Sequence, residues 1–77
     1  MKITVYGPGC PKCHEAEELV KRVVAESGSD ATVEKVGDLQ AMMKAGVLTT
    51  PAVAVDGKLK VVGRVPKPDE VRAWVAK

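Results

Sequence analysis

The stretch Ala52-Val53-Ala54-Val55 has no polar side chain at any position, so a strand built from it must be covered on both faces. Such a strand belongs inside a sheet. Thr49-Thr50-Pro51 precedes it and Asp56-Gly57 follows, the residue pair that a two-residue type I′ turn asks for because both central residues need positive φ. Leu59 to Val62 is then its antiparallel partner. Lys58 and Lys60 place charge on that last strand, as expected of an edge that must not recruit another chain.

The remaining elements follow from period and punctuation. Ile3-Thr4-Val5 reads as a short first strand, ended by Gly7-Pro8-Gly9. From Pro11 to about Ser27 the spacing becomes helical, with Cys13, Ala16, Leu19/Val20, Val23/Val24 and Ser27 on one side. Glu17 to Lys21 and Glu18 to Arg22 are i,i+4 pairs on the wet side. Pro11 suits the first turn and Gly28 the end. Ala31 to Val36 is a second strand, and Asp38 is the N-cap of a short helix over Leu39 to Ala45, stopped by Gly46. Met42 and Met43, beside Leu39, are expected as core filler. Pro68-Asp69-Glu70 opens a last helix whose buried stripe is Val71, Trp74 and Val75. The order is βαβαββα.

With 77 residues the chain has room for one small domain, residues 1–77, whose core must be compact. Tyr6 and Trp74 are its only aromatics, so aliphatic side chains, valine above all, carry that core. Tyr6, at a strand end, and Trp74 are both expected to pack. Twelve basic against ten acidic residues are scattered without a stripe, which argues against nucleic acid as a partner. No 18 apolar residues run together and the first residues alternate in polarity, so neither a membrane span nor a secretory segment is expected. The expected setting is a cytoplasmic monomer.

That setting bears on the only two cysteines, Cys10 and Cys13. A disulfide between them closes so short a loop that it stabilises by only about 2 kcal/mol in a loop-entropy account. In a reducing compartment such a pair is catalytic, redox-sensing or metal-binding rather than a staple. Cys10-Pro11-Lys12-Cys13 also follows a strand and opens a helix inside a βαβ pattern, the context in which Cys-x-x-Cys reads as a redox motif. Only a thiolate attacks a disulfide, and the unpaired N–H groups at a helix start draw the pKa of a thiol there below the free value of about 8.5. Cys10 is therefore expected as the attacking sulfur. Cys13, on the same helical side as Ala16 and Val20, turns toward the core and resolves the mixed disulfide. Pro11 and Lys12 support the pair, Lys12 by a positive charge near both sulfurs.

At these residues the chain resembles the thioredoxin superfamily, and Gly-Pro-Gly-Cys-Pro-Lys-Cys together with its length looks most like the small, glutaredoxin-sized redox-active disulfide proteins. Thr50-Pro51 before the central strand and the terminal helix extend the resemblance over nearly the whole chain. It implies an α/β fold with a four-stranded mixed sheet and helices on both faces. It also implies a cis Thr50–Pro51 bond beside the cysteines, with the backbone just before Pro51 pairing with extended substrate. Gly63 resembles the glycine that keeps the loop after the last strand low beside the site, or it simply ends the strand. The implied function is a dithiol oxidoreductase without a cofactor or metal, reducing protein disulfides and itself reduced by a thioredoxin-reductase-like protein. Gly63-Arg64-Val65-Pro66 lacks the Gly-Gly and Asp pattern by which glutaredoxins hold glutathione. Gly9 and Pro11-Lys12 also differ from the Trp and Gly-Pro of ordinary thioredoxins, and the buried acid of those proteins has no clear counterpart.

Other readings use the same residues. Cys-x-x-Cys followed by His14 matches covalent haem attachment, but nothing advertises a second axial ligand or an all-helical fold. His14 is expected in solvent near Glu18. Two cysteines and one histidine fall short of a structural zinc site. A Cu(I) carrier needs only the two thiolates, yet small copper chaperones run βαββαβ and end in a strand. A redox sensor without turnover is the remaining alternative.

Overall fold

A computed structural model describes residues 1–9 and 11–76. Strand β1 spans Lys2–Tyr6, helix α1 Pro11–Glu26, strand β2 Thr32–Val36, helix α2 Leu39–Lys44, strand β3 Ala52–Val55, strand β4 Lys58–Val62 and helix α3 Pro68–Val75. The strands form one mixed sheet in the order β2-β1-β3-β4. β1 runs parallel to β2 and antiparallel to β3, and β3 runs antiparallel to β4. The apolar strand β3 is an inner strand, buried at all four positions.

Alternation along the inner strands divides the interior into two layers, since successive side chains point to opposite faces. Ile3, Val5, Val53 and Val55 join Ala16, Val20, Val23 and Val24 of α1 and Val71 and Val75 of α3 in the main core. Valine supplies every buried member except Ile3 and Ala16. On the other face Ala52 packs with Met42 and Val47, flanked by Tyr6, Ala45 and Leu59. Trp74 is partly buried against the main core. Helices therefore cover both faces, α1 and α3 on one and α2 on the other.

Turn and cap chemistry set the element ends. Asp56 and Gly57 both adopt positive φ, 51° and 86°. Asp56 also joins the hairpin to β1: its N–H donates to Lys2 O at 2.8 Å and its Oδ1 accepts from Lys2 N at 2.8 Å. Asp38 caps α2 by accepting from Gln40 N at 3.1 Å. The β3–β4 register shifts between Val53 and Ala54, with Val61 and Leu59 opposite them, so Lys60 is the extra residue of a bulge on an edge strand.

Three expectations are corrected. Met42 is buried, but Met43 is 66% exposed and Leu39 68% exposed. A six-residue helix turns few positions toward a sheet, and Met43 lies about 100° round from Met42. Glu18 pairs with His14, which was expected in solvent beside it, Nε2 to Oε1 at 3.1 Å, and not with Arg22; both flank Glu18 by one turn on one face. Ser27 is exposed beyond the end of α1. The Glu17–Lys21 pair does form, at 3.2 Å, and Glu17 also reaches Lys35 of β2 at 3.7 Å. Partial burial works against the charge of Glu17, but Lys21, Lys35 and His14 outweigh it and hold its carboxyl below the usual range.

Candidate functional site

The site is built where β1 ends and α1 begins. Tyr6 is the last residue of β1, and Gly7 continues the parallel ladder by donating its N–H to Val36 O at 2.9 Å. The chain then turns through Pro8 and Gly9, and α1 opens at Pro11. Pro at a helix start loses no hydrogen bond, because the first N–H groups of a helix have no partner within it. Cys10, expected as the attacking sulfur, lies outside the described residues. Cys13 is fully buried and disulfide-bonded.

Its burial depends on what surrounds it. A Cβ built on Gly7 would lie 2.5 Å from Cys13 Cβ and closer still to Sγ, so the sulfur occupies the space a side chain at position 7 would need. Gly37 in turn sits on the Gly7 carbonyl: a Cβ there would be 3.2 Å from Gly7 O. Sequence reasoning had assigned Gly7 only to a turn. Nothing local distinguishes a glycine required for space from one that merely bends the chain.

Across from this turn, the Thr50–Pro51 peptide bond is cis. Pro51 O accepts from Gly63 N at 2.8 Å, which draws the end of β4 onto the loop before β3. Gly63 has φ 81°, and a Cβ on it would approach Thr49 Oγ1 to 2.8 Å, so glycine serves both the turn and the close approach. Lys12, Thr50, Pro51 and Gly63, all singled out from the sequence, line one cavity of about 380 Å³ with Arg64 and Val65. Pro11 is exposed at the head of α1.

Charge at this cavity is basic and partly compensated. Lys12 Nζ lies 4.0 Å from Glu15 Oε2 on an exposed surface. Arg64 is held by Glu70, with Nη1 to Oε1 at 2.7 Å and Nη2 to Oε2 at 2.8 Å. Glu70 Oε1 also accepts from Lys67 N at 2.9 Å, closing the first turn of α3. The Arg64 guanidinium, followed by the Lys67 N–H, draws the Glu70 carboxyl down to about 2. Neither Arg64 nor Glu70 emerged from sequence reasoning as part of the site. Their separation of six residues matches no helical pairing pattern.

On the far side of Thr50 a second cavity, of about 520 Å³, runs between Pro8, Gly37, Leu39, Met42, Val47 and Leu48. Leu48 is 90% exposed at its rim. Among the described residues no group of three or more His, Cys, Asp or Glu side chains could hold a metal ion, and no helix is long and apolar enough to cross a membrane.

A mixed sheet between two helical layers, with a buried, disulfide-bonded cysteine in the first turn of α1 and a cis-proline before the inner strand, defines a small thioredoxin-like α/β protein. The chain belongs to the thioredoxin domain family, whose model matches residues 1–76. It is 40% identical over 72 residues to a thioredoxin of Methanothermobacter thermautotrophicus, covering 94% of either chain. To a thioredoxin of Methanocaldococcus jannaschii it is 39% identical over 70 residues, 91% of this chain and 80% of the other. Membership supports a function of the thiol-disulfide oxidoreductase type.

Proposed function

We propose that the chain reduces protein disulfides through the dithiol of Cys10 and Cys13. The Cys10 thiolate attacks one sulfur of the substrate disulfide, forming a mixed disulfide and releasing the other sulfur as a thiolate that takes up a proton. Cys13 then loses its proton and attacks Cys10 Sγ, which frees the second substrate thiol and leaves the Cys10–Cys13 disulfide. Two electrons pass from the protein dithiol to the substrate. A reductase protein returns them in the next half-cycle.

The observation that carries this reading is the shared cavity of Lys12, Thr50, Pro51 and Gly63, because it sets Lys12, one of the two residues between the cysteines, beside the backbone at Thr50 and Pro51. An extended substrate pairing with that backbone would bring its disulfide to the start of α1. There the unpaired helix N–H groups favour an anionic sulfur. The burial of Cys13 suits a sulfur that meets Cys10 rather than substrate.

Trapping tests the assignment. A Cys13→Ser protein incubated with a disulfide-bonded protein substrate accumulates a covalent adduct, and Cys10→Ser does not. Equal trapping by both variants would remove the assigned roles.

A further inference from the structure

We infer that Gly7 is a positioning residue for the redox pair: its missing side chain is what lets Cys13 sit in the disulfide geometry, so position 7 sets the balance between disulfide and dithiol. The inference rests on the proposed exchange chemistry. Gly7 is buried, and its backbone is held in place by the bond of its N–H to Val36 O at 2.9 Å, with Gly37 close enough that a side-chain carbon there would come within 3.2 Å of the Gly7 carbonyl. A side-chain carbon at position 7 would fall on Cys13 Sγ and Cβ. Its φ lies outside the positive range that favours glycine, so space rather than backbone conformation demands glycine here.

The two redox states respond differently to crowding at that point. In the disulfide Cys13 Sγ is tethered at both ends, by its own Cβ on the rigid helix and by the S–S bond. In the dithiol the S–S tether is gone and the side chain can change rotamer about Cα–Cβ. The approach to Cys13 Cβ, fixed on the helix, burdens both states alike, but the approach to Sγ is relieved only where the side chain can turn, so a carbon at position 7 penalises the disulfide more than the dithiol. Conversion of the dithiol to the disulfide loses two electrons and two protons, which glutathione disulfide accepts to become two glutathione molecules. Added bulk at position 7 drives this exchange back toward the protein dithiol.

The experiment equilibrates the full chain and its Gly7→Ala variant with mixtures of glutathione and glutathione disulfide, and reads the dithiol fraction by alkylation and mass. It also measures urea unfolding of each protein in both redox forms. Gly7→Ala should shift the equilibrium at least tenfold toward the dithiol, about 30 mV for this two-electron couple. Its disulfide form should lose more stability than its dithiol form, and a variant that folds only as the dithiol is the same result at its limit. Val75→Ala, in the core at the end of α3, should lose stability with the equilibrium of the parent. An unchanged or oppositely shifted equilibrium in Gly7→Ala, or equal destabilisation of its two forms, overturns the role of Gly7 while leaving the exchange chemistry standing. A parent protein that never exchanges with glutathione disulfide, or with a protein disulfide, overturns the exchange reading itself.

Discussion

Arg64 grips Glu70 with two parallel hydrogen bonds of 2.7 and 2.8 Å, and so ties the loop that walls one side of the Pro51 cavity to the first turn of α3. Bidentate pairing of this kind adds geometric specificity beyond charge. Glu70 also caps the helix through Lys67 N. One carboxylate thus anchors both a wall of the candidate site and a helix end.

The acid limb of stability should report this anchor. The Glu70 pKa is depressed from 4.5 to about 2 in the folded chain, so its contribution is complete above 4.5 and lost as pH falls through about 2. Urea midpoints of the parent and Glu70→Gln should differ most at neutral pH and converge toward pH 2. A gap that stays constant over that range would mean the carboxylate charge is not what anchors the loop.

Gly63→Ala should destabilise by about 1–2 kcal/mol, the cost of a left-handed conformation for a residue with a Cβ. The φ of 81° and the close approach to Thr49 Oγ1 act together here. In a Thr49→Ala background the close contact is gone and the same substitution should cost less. A double-mutant cycle by urea unfolding measures that difference.

At the β3–β4 hairpin, Asp56 both tolerates φ 51° and accepts from Lys2 N. Asp56→Asn keeps both abilities and should stay nearest the parent. Asp56→Ala keeps neither and should lose about 1–2 kcal/mol, a hydrogen bond plus the left-handed penalty. The ranking, read from thermal or urea unfolding, checks the two contributions.

Core and rim should separate cleanly. Val53 is fully buried on the inner strand, and Val53→Ala should cost about 2–3 kcal/mol through lost burial and the cavity left behind. Leu48, also a large aliphatic residue, is 90% exposed, and Leu48→Ala should change stability by no more than about 0.5 kcal/mol.

Much of the architecture was legible because it rests on local rules. The apolar run of β3, the Asp56-Gly57 turn, the Asp38 cap and the switch to helical spacing at Pro11 each act within a few residues, and each element stands where its own sequence puts it. Met43 misled because hydrophobicity alone does not say whether a short helix has sheet beneath each of its turns. Within the site, Lys12, Thr50, Pro51 and Gly63 were singled out through motif and resemblance, and they do line one cavity. Arg64 and Glu70 were not, since their pairing needs the loop after β4 to fold back on α3.

The order of strands and helices, their ends and the cysteine motif at a helix start were determined by the sequence alone, because spacing, turn conformation and capping are short-range physics. Which glycine must be bare was decided only by the tertiary structure. The approach of Gly7 to Cys13 depends on how a strand end, held to Val36 by its neighbour strand, meets a helix docked above it. That distance is set by packing across the whole domain and is written in no local pattern.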